Sequence, residues 1–248
     1  MANLVIDIGN TQTKVALFTS NILVKVNHYD SFTTEHLNAY LKQNNITHSI
    51  LASVKPTGVD KIEAILKKNT NYTRFSTQLP SAINNQYKSM HTLGSDRLAG
   101  VIGANSLYPN TNCLVIDLGT CITYDAIDYT GLYRGGSISL GIQMRLKALH
   151  NYTAQLPLVD LDLEFSALEG TDTQTSILSG VIQGTLLEVK GFIKHYSLHY
   201  DSLKIVFCGG DAFFFDSRLK NTIFAHPILV EPHLVLIGLN ETIHQQND

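Results

Sequence analysis

The chain has 248 residues, enough for one large or two small domains with their own cores. With 44% apolar and 16% charged residues it reads as globular, and a net charge of −3 without any Lys/Arg block excludes nucleic acid as the expected partner. Three cysteines without a CxxC pair point to reduced thiols, no leader pattern follows Met1, and no run of about 18 apolar residues offers a membrane span, so a soluble, cytoplasmic protein is expected. In chain order, apolar periodicity predicts strands at 3–8, 13–18 and 22–28, a helix at 34–44, a strand at 48–54, a helix at 58–68 and a strand near 72–77. A polar loop follows at 79–93, then a helix from about Ser95 to Leu107.

The order then restarts. Strands are predicted at 113–118, 121–128 and 132–139, a helix at 141–151, an acidic loop at 156–172 and a long helix at 173–198. The strand "KIVFCGG", a helix near 217–222, the strand "PILVEP" and a helix from Leu234 complete the chain. Three strands and then alternating helices and strands thus occur twice. The simplest account is two similar α/β domains, 1–110 and 111–248, divided at "YPNTN".

The repeat extends to a turn. In "DIGNTQTK", Asp7 ends a strand, Gly9 permits a tight turn, and Asn10, Thr11 and Thr13 offer small polar groups and backbone donors that can wrap phosphates. Asp7 would hold a metal ion or its waters rather than touch phosphate, and Lys14 could supply positive charge to the phosphate chain. An ordinary polar hairpin would look the same if it stood alone. A second copy, "DLGTCIT", places Asp117, Gly119, Thr120 and Thr123 at the same spacing, and "FCGGDA" adds Gly209 and Gly210, where backbone can approach a flat ligand such as adenine or ribose. The three elements in this order point to the nucleotide cleft shared by actin, the heat-shock chaperone ATPases and the sugar and acetate kinases.

An acceptor site is suggested by "LGSDRLAG" at 93–100. Ser95 suits a helix N-cap and Asp96 the first turn, where the helix dipole favours a carboxylate. The functional reading makes Asp96 the group that takes a hydroxyl proton during phosphoryl transfer, and Arg97 the partner of an acceptor carboxylate. The remaining features read as structural. His195 and His199 share a helical face without a third metal ligand, and "AFFF" at 212–215 suits a core or an interface.

The set "DIGNT", "GSDR", "DLGTCIT", "GGSISLGIQMRLKAL" and "GTDTQTSILSGVIQG" resembles the type III pantothenate kinases in order and spacing over nearly the whole chain. The resemblance implies two ribonuclease-H-like (actin-like ATPase) domains with a nucleotide cleft between them. It implies ATP-dependent phosphorylation of pantothenate to 4′-phosphopantothenate by a homodimer, with magnesium accompanying ATP and a monovalent cation, potassium or ammonium. It makes Asp7, Ile8, Gly9, Asn10, Thr11, Gln12, Thr13 and Lys14 the ATP phosphate loop and Thr120 a second ATP contact. Asp96 becomes the catalytic base, with Tyr87, Gly94, Ser95 and Arg97 on pantothenate. Asp117 falls at the monovalent-cation position, and Thr173 at a substrate position serving the partner subunit's site. The chain departs from the family pattern at Ser89-Met90, where Asn-Pro is usual, at Leu140 for proline, at Cys121 for alanine, and at Thr171-Asp172 for Lys-Asn. A non-catalytic nucleotide-binding regulator and another small-molecule kinase of the superfamily are the alternatives. A chaperone or filament protein needs extra subdomains for which 248 residues leave little room, and a phosphatase needs a water-orienting glutamate without an obvious candidate.

Overall fold

The structure is a computed structural model, and it describes residues 2–54, 58–220 and 227–246. The chain divides into two compact units: Met1–Pro109 with Gly131–Arg134 and His233–Asp248, and Asn110–Thr130 with Gly135–Pro232. Asn110, inside the predicted "YPNTN" break, takes a left-handed φ of 57°, a conformation that asparagine tolerates better than most residues.

The first unit opens with β1 (Ala2–Ile8), β2 (Thr13–Thr19) and β3 (Ile22–Tyr29), followed by α1 (Thr34–Gln43), β4 (Ile46–Ser53), α2 (Asp60–Asn69) and β5 (Asn71–Arg74). The sheet order is β3-β2-β1-β4-β5, antiparallel through the first three strands and parallel from β1 outward. β1 is central because Leu4, Val5 and Ile6 are apolar in succession and bury both faces. Leu4, Ile6, Val15 and Leu17 form a core with Leu37 of α1 and Leu66 of α2. The loop predicted at 79–93 holds a two-residue strand β6 (Asn84–Asn85) and a single 3-10 turn at Met90–Thr92 before α3 (Ser95–Leu107).

The second unit repeats the plan with β7 (Cys113–Leu118), β8 (Cys121–Ile127), β9 (Leu132–Leu140), α4 (Ile142–Asn151), α5 (Thr173–Ser197), β10 (Lys204–Cys208), α6 (Ala212–Leu219) and β11 (Ile228–Val230). Its strands run β9-β8-β7-β10-β11, the same order as in the first unit. β6 adds to the free edge of β9 by pairing with Leu132 and Tyr133, the part of β9 that belongs to the first unit. Helix α5 is long and apolar enough to cross a membrane by length and composition, but half of its most apolar stretch is buried, and Ile177, Ile182 and Val189 pack in the core with Leu114 and Ile116. Cys113 and Cys208 are buried and Cys121 is exposed, and none of the three is in a disulfide.

Two expectations change. The helix predicted near 217–222 starts at Ala212, and residues 221–222 lie outside the described residues. Gly209, at φ 88°, turns the chain straight out of β10, so the "AFFF" run begins the helix; Phe215 is buried, Phe214 packs against the core, and Phe213 is exposed. The last helix, α7 (Leu234–Gln245), was placed in a 111–248 domain by the repeat pattern, yet it belongs to the first unit. It packs against α3 at two glycines: a Cβ on Gly103 would lie 2.4 Å from the Leu234 carbonyl oxygen, and one on Gly238 would lie 1.8 Å from that of Ala99. Asn240, buried on α7, accepts a hydrogen bond from Asn3 Nδ2 at 2.9 Å and donates to the Ser20 carbonyl at 3.1 Å.

Candidate active site

The turn between β1 and β2 is closed by the Gly9 N–H, which donates to the Gln12 carbonyl at 3.1 Å. Asn10, Thr11 and Gln12 are exposed at its tip, while Thr13 is buried. Asp7 and Lys14 are direct cross-strand partners. Burial pushes the Asp7 carboxyl up to about 6; the Lys14 ammonium opposes the shift, and the Asp96 carboxylate adds to it. Two acidic groups far apart in the unit's sequence are therefore close enough to feel each other.

The second hairpin is one residue shorter. Its Gly119 N–H donates to the Cys121 carbonyl at 3.1 Å, and the register pairs Leu118 with Ile122 and Asp117 with Thr123. The equal spacing in sequence from aspartate to the later threonine is not an equivalence in structure. Thr13 pairs with Ile8, so the counterpart of Thr123 is Lys14. Backbone packs tightly around this turn. A Cβ on Gly209 would lie 2.3 Å from Asp117 Oδ1, and one on Gly141 would lie 2.0 Å from the Gly119 carbonyl oxygen. The Gly141 N–H donates to Thr120 O at 3.1 Å, and the Asp211 N–H to Leu118 O at 2.8 Å. Of the glycine pair after β10, Gly209 thus makes room for Asp117, while Gly210 has open space where a Cβ would be.

At the start of α3 the N-cap is Gly94 rather than Ser95, which is the first helical residue. The reason is Asp96. Its Oδ1 accepts the Arg97 N–H at 2.8 Å, and a Cβ on Gly94 would sit 2.4 Å from that same oxygen. Arg97 is buried, with its guanidinium carbon 5.6 Å from the centre of the Tyr87 ring. Tyr87 in turn lies parallel to Tyr133, centroids 6.4 Å apart, and its N–H donates to Asn85 Oδ1 at 3.0 Å. The loop that carries it is fixed to β9 by Asn84 N to Gly131 O at 2.8 Å and Gln86 N to Tyr133 O at 2.9 Å. A cavity of about 450 Å³ opens beside Tyr87, lined also by Gln86, Lys88, Ser89 and Arg134. Tyr87, Gly94, Ser95, Asp96, Arg97 and the Asp7 hairpin therefore all belong to one unit, and Asp7, Asp96, Arg97 and Tyr87 are linked in pairs by field or contact.

Asp117, Thr120 and Thr173 belong to the other unit. Thr173 is the first residue of α5, after Asp172, which caps the helix reciprocally with Thr175. It lines a cavity of about 1070 Å³ between α4 and α5, together with Arg145, Tyr152, Thr171 and Ile177. Arg145 is a residue the sequence reading passed over. It donates to Ser139 Oγ at 3.0 Å and to the Leu140 carbonyl at 2.8 Å and pairs with Glu188, which also accepts from Tyr124 at 2.9 Å. Burial drives the Glu188 carboxyl upward, but the hydrogen bonds from Arg145, Tyr124 and Ser139 outweigh it and hold the group below the usual range. An arginine and a glutamate 43 positions apart carry no local signal of pairing. His195 and His199 lie with ring centroids 4.7 Å apart, and no group of three His, Cys, Asp or Glu that could hold a metal ion occurs among the described residues.

Residues 3–195 match the family model for type III pantothenate kinase. The type III pantothenate kinase of a Bacteroides fragilis strain is 38% identical over 99% of this chain and 98% of its own length. That of Christiangramia forsetii is 41% identical over 96% of each chain. Among solved structures, the ROK hexokinase of Thermus thermophilus superposes over the full length of both chains with a TM-score of 0.53 at 13% identity, which shows a shared actin-like ATPase fold. With the family model matched over most of its length and these relatives aligned from end to end, the chain belongs to the type III pantothenate kinases.

Proposed function

We propose that Asp96 is the general base of this ATP-dependent pantothenate kinase. The observation that carries the reading is the fixed Asp96 carboxylate, held by the Arg97 N–H at 2.8 Å in the first turn of α3 and electrostatically coupled to Asp7. Arg97 and Tyr87 hold the acceptor, the guanidinium serving its carboxylate. Asp96 receives the proton of the 4′-hydroxyl as that oxygen attacks the γ-phosphoryl group. The proton leaves late in a loose transition state, so a carboxylate in hydrogen-bond reach can receive it. The turn from Gly9 to Thr13 wraps the phosphates with its exposed tip, Asn10 to Gln12, as the source of backbone N–H donors, and Lys14 offers charge. Asp7 fits a magnesium site: a buried carboxylate beside a second one is relieved by a cation. Magnesium bound with ATP neutralises phosphate charge. Asp117 is assigned to the potassium or ammonium ion, and Thr120 to the nucleotide.

Thr173 is read as serving the partner subunit of a cytoplasmic homodimer. The support is its place on a large cavity whose rim carries exposed apolar residues, Leu140 and Tyr152. The test is a coupled assay with ATP and pantothenate, with and without potassium, on wild type and Asp96→Asn. Wild type should turn over. The variant should lose roughly 10²–10⁴-fold while ATP binding, measured by calorimetry, persists. A variant with wild-type turnover would remove Asp96 from the role.

A further inference from the structure

The end of α7 touches the loop that carries Tyr87. Gln245 Oε1 accepts the Ala82 N–H at 3.0 Å, and Gln246 Nε2 donates to the Pro80 carbonyl at 3.0 Å. The Gln245 amide is held in that orientation by its own Nε2, which donates to Glu241 Oε1 at 3.1 Å. Glu241 Oε2 accepts from Ser106 Oγ of α3 at 3.0 Å. A relay of side chains thus runs from α3, the helix whose first turn carries Asp96 and Arg97, through Glu241 and Gln245 to the loop that carries Tyr87.

The other contacts of α7 reach α3 and β1 of the same unit. The Gly103 and Gly238 approach fixes its height on α3, and Asn240 ties it to Asn3 of β1, the strand that ends in Asp7. One helix therefore holds the three segments that carry Asp7, Asp96 with Arg97, and Tyr87. The loop between Pro80 and Tyr87 is held at its start by α7, buries Ile83, and is held further along by β6 on β9.

We propose that α7 is a positioning clamp for the acceptor site, and that Gln245 and Gln246 are positioning residues that set the place of Tyr87. The inference rests on the reading of Tyr87 and Arg97 as acceptor contacts. Neither glutamine touches the reacting groups. They act through the loop, so their loss should appear in the Michaelis constant for pantothenate more than in kcat or in the Michaelis constant for ATP.

The experiment compares wild type with Gln245→Ala, Gln246→Ala, Gln245→Glu, and the exchange pair Glu241→Gln with Gln245→Glu. The alanine variants should raise the pantothenate Michaelis constant roughly two- to ten-fold, the worth of an exposed hydrogen bond or two. Gln245→Glu alone sets two carboxylates together and should do the same. The exchange pair restores an amide donor facing a carboxylate, keeps an oxygen towards the Ala82 N–H, and should return the constant towards wild type. A role limited to helix-end stability would give the same order in denaturation midpoints but leave the pantothenate constant unmoved. Hydrogen exchange provides a second readout free of substrate: the Asn84 and Gln86 amides should exchange faster in the alanine variants. Unchanged exchange together with a pantothenate constant within twofold of wild type, or equal rises for pantothenate and ATP, would overturn the clamp. Wild type failing to phosphorylate pantothenate, with exchange still responding to the variants, would overturn the substrate reading and leave the clamp standing.

Discussion

Asp7 stands directly opposite Lys14 across the β1–β2 pair, with its carboxyl pushed up by burial and drawn back by that ammonium. The corresponding neighbour of Asp117 is the uncharged Thr123. Two hairpins that look alike in sequence thus differ by a full charge at the position facing the aspartate, and only the first can present a lysine to phosphate.

Lys14→Met should therefore act on the nucleotide. Loss of a preorganised cation at a phosphate site costs about 10²-fold in kcat/KM for ATP. Steady-state kinetics with ATP varied at saturating pantothenate measure it. An effect under twofold would leave Lys14 with only its cross-strand role.

The sign of the Asp7 shift predicts a stability that falls with pH. The folded-state value of about 6 lies above the ordinary 3.8, so the native state binds the proton more tightly than the unfolded chain. Between about pH 4 and 6 stability drops, and above that range the penalty is complete, about 3 kcal/mol at most. Asp7→Asn should stabilise the nucleotide-free, metal-free protein at pH 8 and have little effect at pH 4. Urea denaturation at both values is the measurement, and equal effects at the two would contradict the buried-charge account.

Gly94→Ala should injure turnover more than stability. The new methyl group would meet Asp96 Oδ1 at 2.4 Å and must turn the carboxylate away from the Arg97 N–H. A loss of about tenfold or more in kcat is expected, since displacement by an ångström is enough to misalign a base. Gly210→Ala, where a Cβ meets open space, is the matched control and should keep wild-type stability. Thermal denaturation alongside kinetics separates the two effects.

Glu188→Gln should weaken the second unit in a pH-dependent way. The folded-state pKa of Glu188 is depressed, so its pairing contributes stability above the ordinary 4.5 and loses it as pH falls through the folded value. The Arg145 and Glu188 side chains are about a fifth exposed, which tempers the cost to roughly 1–3 kcal/mol at pH 7. Denaturation midpoints of variant and wild type should converge in acid. A constant gap from pH 7 to 3 would assign the cost to packing instead.

Much of the fold was legible because its signals are local. The Leu4 to Ile8 and Leu114 to Leu118 runs declare central strands, and the apolar spacing of α5 declares a core helix. The aspartate–glycine turns and "GSDR" were legible for the same reason, since each compresses its chemistry into a few adjacent residues. What was not legible depends on register and on distant partners. The one-residue difference between the hairpins is invisible until strands are paired, and it reassigns the counterpart of Thr123 from Thr13 to Lys14. Ser95 resembles an N-cap by type, but the neighbouring carboxylate needs the space that only Gly94 leaves. The field of Asp96 at Asp7, the stacking of Tyr133 on Tyr87 and the Arg145–Glu188 pair all join residues with no sequence pattern between them.

The return of α7 to the first unit has a consequence for biosynthesis. Helix α7 leaves the ribosome after the whole inserted unit and completes the unit whose strands emerged before it, and the Asn3–Asn240 bond joins residues 237 positions apart. Until α7 is made, the Gly103 face of α3 and the Asn3 side of β1 lack their cover, so the first unit must wait partly open while the inserted unit is made. A chain interrupted anywhere before His233 would lose the closing piece of its first domain as well as its tail. In effect α3 gains its full cover only after the inserted unit has been made.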